Sequence, residues 1–393
     1  MDKYEHLRPF AVTRKQTELL DTLRRYDSVD DAAEATGRKV RGLYAMIKRL
    51  RDEAAVRGVA PEFDMQHQAA DPFLVNGTST LYDDEGQVKI QWVKTALKKD
   101  QALQHMRDAI VESMEDFKGA HKPRVAPKAT AGDIMTCYPM GDPHIGMYAW
   151  REECGEDFDV NIAREDLLAA TSRLVNVAPA TEKALILNLG DFFHADNAKN
   201  TTTRGTFQDV DTRWPQVLQV GCMIMVDLVT MALAKHKQVD VINCIGNHDD
   251  HSSVMLAAFM DAWFHNEPRV NIYPTVSKFH FYTFGKVMIG ATHGDTVKMT
   301  DLAEIMAADE PAKWAATEHR YWYTGHIHHK QKLELRGCVT ESFRTLAGSD
   351  SWHRGQGYRS GRDMYAIVHH KDYGEVERYR CDIRQARPLK SDG

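Results

Sequence analysis

The spacing of apolar and polar residues changes twice along the chain. From residue 14 to about residue 55 the apolar positions recur with helical spacing. Thr13 is placed to cap a helix running to about Arg25, and Ser28 a second running through Thr36, which Gly37 ends. A third helix is expected to reach about Ala55, with Val40, Leu43, Ile47 and Leu50 as its buried stripe. The pattern then shifts to alternation. Val88, Ile90 and Trp92 predict a strand, and Asp83-Asp84-Glu85-Gly86 supplies the turn before it, so a hairpin is expected. Residues 97–117 return to helical spacing.

The stretch GAHKPRVAPKATAG then breaks every period and reads as a linker over 118–131. Beyond it, short apolar runs at 184–189, 239–245 and 286–292 read as buried strands. Residues 164–177 and 214–236 read as helices beside them. Strands alternating with helices predict an α/β sandwich. The expected organisation is a helical module over 1–60, a hairpin-plus-helix connector over 72–117, the linker over 118–131, and one large α/β domain over 132–393.

A chain of 393 residues accommodates two or three such units. Its net charge of -6 excludes a polycation that coats nucleic acid non-specifically, so any such contact must be local. The six cysteines form no CxxC pair, which argues against a disulfide scaffold and a zinc knuckle and predicts reduced thiols in a cytoplasm. MDKYEHLRPF has no apolar signal-peptide core. The longest apolar run, about 220–234, is interrupted by Asp227 and falls short of the roughly 20 residues that span a bilayer. It reads as a core helix, and no membrane association is expected.

The candidate chemistry lies just after the predicted strands. In chain order the segments are Gly141-Asp142-Pro143-His144, Gly190-Asp191-Phe192-Phe193-His194, Gly246-Asn247-His248-Asp249, Thr292-His293-Gly294-Asp295 and Gly325-His326-Ile327-His328. Loops at strand ends converge in open α/β sheets, so such residues can meet. Alternation along an extended chain would turn Asp142 with His144, and His326 with His328, toward one site. Carboxylates, an amide and imidazoles without thiolate suit octahedral or five-coordinate Mn, with Fe and Zn as alternatives. Two such ions about 4 Å apart can clamp both oxygens of a displacement at phosphorus.

This ordered set resembles the calcineurin-like metallophosphoesterases over roughly residues 132–385. The resemblance implies a β-sandwich flanked by helices and two divalent metal ions. It implies that Asp142, His144, Asp191 and His328 hold one ion, and that Asp191, Asn247, His293 and His326 hold the other, with Asp191 bridging. His248 would be the catalytic imidazole, His194 its assistant, and Asp249 a residue that orients it. The GDxFH form of the second segment resembles SbcD-type nucleases, as does Thr345-Leu346-Ala347-Gly348-Ser349, which is similar to a segment those enzymes place against substrate. The short stretch after His328 predicts that their capping domain is absent or reduced. The layout is more similar to phage and prophage members with a DNA-binding-like N-terminal segment, which would place the protein in a host cytoplasm.

That N-terminal segment fits a helix-turn-helix, with Ala33, Gly37, Leu43 and Met46 at its packing positions. Between Arg38 and Arg51 there are six basic residues and no acidic one. Arg38, Lys39, Arg41, Lys48 and Arg49 are therefore the candidate DNA contacts. Gly42 within the third helix counts against this, and a helical bundle that binds a protein partner is the competing reading of residues 1–60. For the whole chain the expectation is a two-metal hydrolase of phosphodiester bonds acting on DNA. Its rivals are a phosphatase or phosphodiesterase acting on a small molecule or phosphoprotein, and a DNA-binding regulator whose phosphoesterase fold is idle.

Overall fold

The computed structural model describes residues 3–11, 13–66, 69, 73–97, 117–355, 357 and 359–386. The helix predicted over 97–117 lies outside them but for its ends. The chain divides into two compact units, Met1–Gln104 and His105–Gly393.

In the first unit, helices α1 (Arg14–Leu23), α2 (Val29–Thr36) and α3 (Val40–Val56) enclose a small core. The caps form as the sequence predicts. Thr13 and Gln16 make a reciprocal capping box, and the Ser28 hydroxyl accepts from the Asp31 N–H. Gly37 adopts φ 64°, and the Arg38 N–H returns to the Ala33 carbonyl at 3.0 Å. Leu43, Ile47, Leu50 and Ala54 are buried on α3, whereas Val40 is exposed, so the stripe begins one turn later than expected.

A hairpin of β1 (Phe73–Tyr82) and β2 (Val88–Leu97) follows. Leu81 pairs with Ile90, and Trp92 lies on the same face, yet these side chains are 49 %, 46 % and 55 % exposed. The alternation correctly indicates a strand. It does not produce a buried face, because a two-stranded ribbon has no second layer of its own.

The second unit is a four-layer sandwich. One sheet has six strands in the order β13-β12-β3-β4-β5-β6, comprising β3 (Ala131–Met140), β4 (Thr181–Asn188), β5 (Gln238–Asn243), β6 (Val270–Ile272), β12 (Asp363–His370) and β13 (Gly374–Asp382). The other has five in the order β10-β11-β9-β8-β7: β7 (His280–Phe284), β8 (Val287–Thr292), β9 (His319–Thr324), β10 (Gln331–Leu335) and β11 (Cys338–Ser342). Strands β3 to β6 run parallel, as do β8, β9 and β11.

Period-2 alternation allocates the side chains to layers. Cys137, Leu185, Leu187 and Ile242 meet Ile289, Tyr323 and Phe343 between the sheets. Tyr138, Ile186 and Val241 point the other way, onto α4 (Val160–Val177), α5 (Trp214–Lys235) and α6 (Asp250–Trp263). Leu302 and Met306 cover Met288 and Trp322 on the far side of the smaller sheet. Helix α5 has 22 residues and is apolar enough to cross a bilayer, so its length does not argue against a membrane span. Its packing does: Ile224, Met225, Leu228 and Val229 lie in the core against the larger sheet.

Residues 118–131 carry little regular structure before β3 begins, but the first part is fastened down. Gly119 N–H donates to the Ala262 carbonyl, His121 N–H to that of Trp263, and Arg124 N–H to the Glu267 carboxylate. All six cysteines are buried and unbridged.

Candidate metal centre

Five parallel strands end at one place. β3 ends before Gly141-Asp142, β4 before Gly190-Asp191, β5 before Gly246-Asn247, β8 before His293 and β9 before Gly325-His326. Every sequence-predicted ligand therefore lies in a loop beyond the C-terminal end of a strand.

The reason paired ligands share a site differs from the one expected. Asp142, His144, Asp191, His326 and His328 have φ values of 44°, 45°, 49°, 68° and 55°. They are in the left-handed region, not in extended strand. Only Asp64 and Asn200 share that property among the other described non-glycine residues. Such backbone is costly for a residue with a Cβ, by about 1–3 kcal/mol. Its concentration here means that tertiary structure imposes a loop geometry the local sequence does not prefer.

Three groups, two of them sharing His144, could hold an ion: one is His144, His194 and His248, and the other two gather the sequence-predicted ligands. Asp142, His144 and His328 bring ligand atoms within 4.8 Å of one another, and so do Asp191, His293 and His326. His144 Nε2 lies 3.1 Å from His328 Nε2, and His326 Nδ1 lies 3.2 Å from His293 Nε2. Two nitrogens each about 2.1 Å from one ion, at right angles, stand about 3.0 Å apart. The Asp191 group also draws in Asn247, whose Oδ1 is 3.0 Å from His293 Nε2, while Asp191 Oδ2 is 3.1 Å from the same nitrogen.

Backbone groups aim these side chains. His293 Nδ1 is 2.9 Å from the Leu189 carbonyl, which leaves Nε2 facing the cluster. The Asp142 carboxylate accepts from the His326 N–H, and Asp191 Oδ1 from the His248 N–H at 2.8 Å. Gly246 permits this packing, since a Cβ there would meet Asp191 Oδ1 at 2.1 Å.

The electrostatics suit a cation. Asp142, His144, Asp191 and His293 are all at most 1 % exposed. Burial pushes the Asp142 carboxyl up to about 7, with His293 opposing and Asp191 reinforcing. Burial, with His248, His328 and His194 alongside, holds His144 well below its ordinary value, so its imidazole is neutral and its lone pair available. Burial would lower His293 too, but the charges of Asp191 and Asp142 outweigh it and raise it to about 10. The negative potential that retains a proton there is the potential that attracts a divalent ion. The donor set therefore fits divalent ions.

His248 sits beside the cluster with its side chain 19 % exposed. Its Nδ1 is 2.9 Å from the His194 carbonyl, and its Nε2 is 4.0 Å from Asp191 Oδ2. The His194 ring stacks on that of His248 at 5.4 Å, and its Nδ1 is 3.1 Å from His144 Nδ1. His194 thus braces both. Asp249 does not orient His248, contrary to expectation. Its carboxylate is fully buried and accepts from the Phe193 and Gly246 N–H groups, each at 3.1 Å, tying the loop after β4 to the loop after β5. Burial and the Asp191 charge push this group up to about 8.

Sequence reading missed Asp196. Its carboxylate accepts from the His251 and Ser252 N–H groups and from the Ser252 and Thr203 hydroxyls, and it lies 3.0 Å from His251 Nδ1. It anchors the first turn of α6, immediately after His248, as an anion at a helix N-terminus. An Asp five residues after Asp191 carries no local signal of that role. The five basic candidates, Arg38, Lys39, Arg41, Lys48 and Arg49, are all exposed in the first unit, and no ion-pair partner accompanies them among the described residues.

No family model and no curated protein sequence matches the chain. Among solved structures it is similar to Vps29 complexed with zinc from Entamoeba histolytica, at 13 % identity and TM-score 0.27, covering 63 % of this chain and 99 % of that one. It is also similar to a predicted phosphoesterase from Streptococcus pneumoniae, at 10 % identity and TM-score 0.25, covering 65 % and 99 %. Likenesses at this level assign no activity.

Proposed function

We propose that this chain is a metal-dependent phosphoesterase of the calcineurin-like class that hydrolyses phosphodiester bonds, with DNA as substrate. The observation that carries the reading is the meeting of Asp142, His144, Asp191, Asn247, His293, His326 and His328 at the ends of five strands, with His248 beside them. Asp142, His144, Asp191 and His328 would hold one divalent ion, and Asp191, Asn247, His293 and His326 a second, with Asp191 shared. Mn is the expected metal, and Fe or Zn the alternatives. When bound, such ions supply Lewis acidity, activate a water and neutralise phosphate charge.

The chain's own residues do the rest. The His194 carbonyl occupies His248 Nδ1, so Nε2 is left to protonate the leaving oxygen or to stabilise charge at phosphorus. The stacked His194 ring limits rotation of that imidazole. Asp249 and Asp196 fix the loop that carries His248 from either side. The exposed basic face of α3 supports a polyanionic substrate, held at its phosphates.

The test is direct. Purified full-length protein with Mn is offered bis(p-nitrophenyl) phosphate, p-nitrophenyl phosphate and linear DNA. Faster hydrolysis of the diester and of DNA is expected. Activity on the monoester alone would replace this reading with a phosphatase. No activity with Mn, Fe or Zn would leave the idle regulator.

A further inference from the structure

Three large aromatic rings stand in solvent on the segments that follow the metal-centre loops. Tyr148 is 46 % exposed, Trp150 54 % and Phe207 67 %. Their placement follows from the backbone. Met147 bridges Val210 antiparallel, and the Tyr148 N–H donates to the Asp209 carbonyl at 3.1 Å. Alternation then sorts the two segments. Met147 and Ala149 are buried, and Gln208 and Val210 are half-buried. Tyr148 and Trp150 on one segment, and Phe207 and Asp209 on the other, are exposed. Residues opposite one another in an antiparallel pair share a face, so the three rings line one side of a short ribbon.

Both segments are fastened to the residues that meet at the strand ends. The Met147 N–H donates to the His144 carbonyl and the His144 N–H to the Asp191 carbonyl, each at 3.0 Å. Tyr148 follows His144 by so few residues that it lies at most about 14 Å away along the chain. Phe207 bridges Thr201, whose carbonyl accepts from the Asp196 N–H at 2.9 Å. Thr203 donates its hydroxyl to the Asp196 carboxylate, which also holds the turn after His248. The rings therefore keep a set distance from the centre. Charge decides which part of a substrate suits them. Asp209 shares their face and disfavours a phosphate there, whereas Lys199 and Arg204 are exposed on the loop between Asp196 and Phe207. An uncharged planar group fits the rings, and the backbone that carries it fits the loop.

We propose that Tyr148, Trp150 and Phe207 are a stacking platform for unpaired bases next to the scissile phosphate, so that the strand cut is single-stranded DNA. Bases in a duplex are covered by their neighbours, and only an unpaired strand can lay them on protein rings. Every base has a π-face, so such a platform tolerates any sequence. The inference rests on the phosphodiesterase reading of the metal centre and names its substrate class.

The experiment offers Mn-loaded full-length protein three fluorescein-labelled oligonucleotides of equal length: a single strand, the same strand in a blunt duplex, and a strand with abasic sites in place of its bases. The abasic strand keeps every phosphate and removes only stacking. In kcat/KM the single strand should exceed the other two by about 10-fold or more, chiefly through KM. Trp150→Leu with Phe207→Leu keeps apolar surface but no ring, and should bring the single strand down to the abasic level. Trp150→Phe with Phe207→Tyr should keep most of the preference. Fluorescence anisotropy of the same oligonucleotides on metal-free protein gives a readout independent of turnover. Equal handling of the single and abasic strands by wild type, or a preference that survives the double leucine variant, overturns the platform. A duplex cut as fast as the single strand overturns the substrate class. Failure to hydrolyse both bis(p-nitrophenyl) phosphate and the oligonucleotides sinks the phosphodiesterase reading instead. Anisotropy then decides the platform alone: tighter binding of the single strand than of the abasic one supports it, and equal binding overturns it.

Discussion

The two compact units treat polar side chains in opposite ways. In the first, the buried core is apolar and the charges of α3 stand in solvent except Arg51, whose Nε is buried and whose guanidinium lies over the Tyr4 ring. In the second, Asp142, His144, Asp191, His194, Asp249 and His293 are all at most 2 % exposed. Burying an ionisable group costs several kcal/mol unless partners compensate it. A cluster of six is therefore tolerated only where its members and their ligands satisfy one another. Exposed charges carry no such constraint, so a basic face is compatible with DNA, with a protein partner or with water alone. The difference shows why chemistry can be argued from structure in one unit, whereas in the other it must be argued from binding.

The comparison breaks most sharply at Asp191, which touches both His293 and the His248 backbone. Asp191→Asn should lower metal content at both sites, as measured by elemental analysis. Hydrolysis of any ester should fall beyond the ~100-fold that loss of an outer-shell partner brings. A variant that keeps two metals and its activity would show that the shared ligand is misassigned. Next comes the division between ligand and catalyst. His248→Ala should keep its metal yet slow turnover by roughly 100-fold, whereas His328→Ala should lose metal. Identical behaviour of the two variants would remove the distinction.

The residues that meet at the strand ends were legible in the sequence because the candidate chemistry restricts residue types and because strand ends are punctuated by glycine. Gly246-Asn247-His248 and Gly325-His326-Ile327-His328 carry both signals. The left-handed backbone of five of these residues was not legible, because local sequence disfavours it and only the surrounding loops enforce it. Asp249 was misread for the same reason: its partners, Phe193 and Gly246, belong to two loops that only the sheet brings together. The three helices of the first unit were readable to within a few residues, since caps and period are local properties. The exposure of Ile90 and Trp92 was not, because it depends on what another layer covers.

A smaller effect separates the units by pH. His236 and His369 in the second unit are pushed down to about 4, chiefly by burial. Lys235 adds to the shift at His236, while at His369 Glu375 opposes it and Arg378 reinforces it. Tyr138 and Thr181 contact the first imidazole, and Tyr323 the second. Their unfolded value is about 6.5, so the unfolded chain takes up protons first as pH falls. The stabilisation is full above about pH 6.5 and is gone by about 4, with up to about 3 kcal/mol at stake for each group. Hydrogen exchange at pH 7 and pH 4.5, corrected for intrinsic rates, should show protection falling in β4, β5 and β12 but not in α1 to α3. Parallel loss in both units would remove the contrast.

The smallest expected effect tests the exposed face of α3. Arg41, Tyr44 and Lys48 follow one another at spacings of three and four and are all exposed, with Arg38 and Lys39 just before the helix. This geometry presents positive charge along one side and at the helix N-terminus, where phosphates are also favoured. None of these residues belongs to the metal centre, so their contribution is to binding. Replacing Lys39, Arg41, Lys48 and Arg49 with Gln should raise the DNA concentration needed for half-maximal cleavage by about 10-fold at moderate salt. It should also reduce the slope of log affinity against log salt, by about 0.9 for each duplex phosphate that the protein no longer neutralises. Hydrolysis of bis(p-nitrophenyl) phosphate, which needs no such grip, should change by less than about twofold. The salt slope is the decisive measurement, because a folding defect would lower activity on both substrates without altering the number of counterions released. If the slope and the DNA requirement stay as in wild type, the basic face is a solvated surface or a protein-binding one, and the first unit has no part in holding DNA.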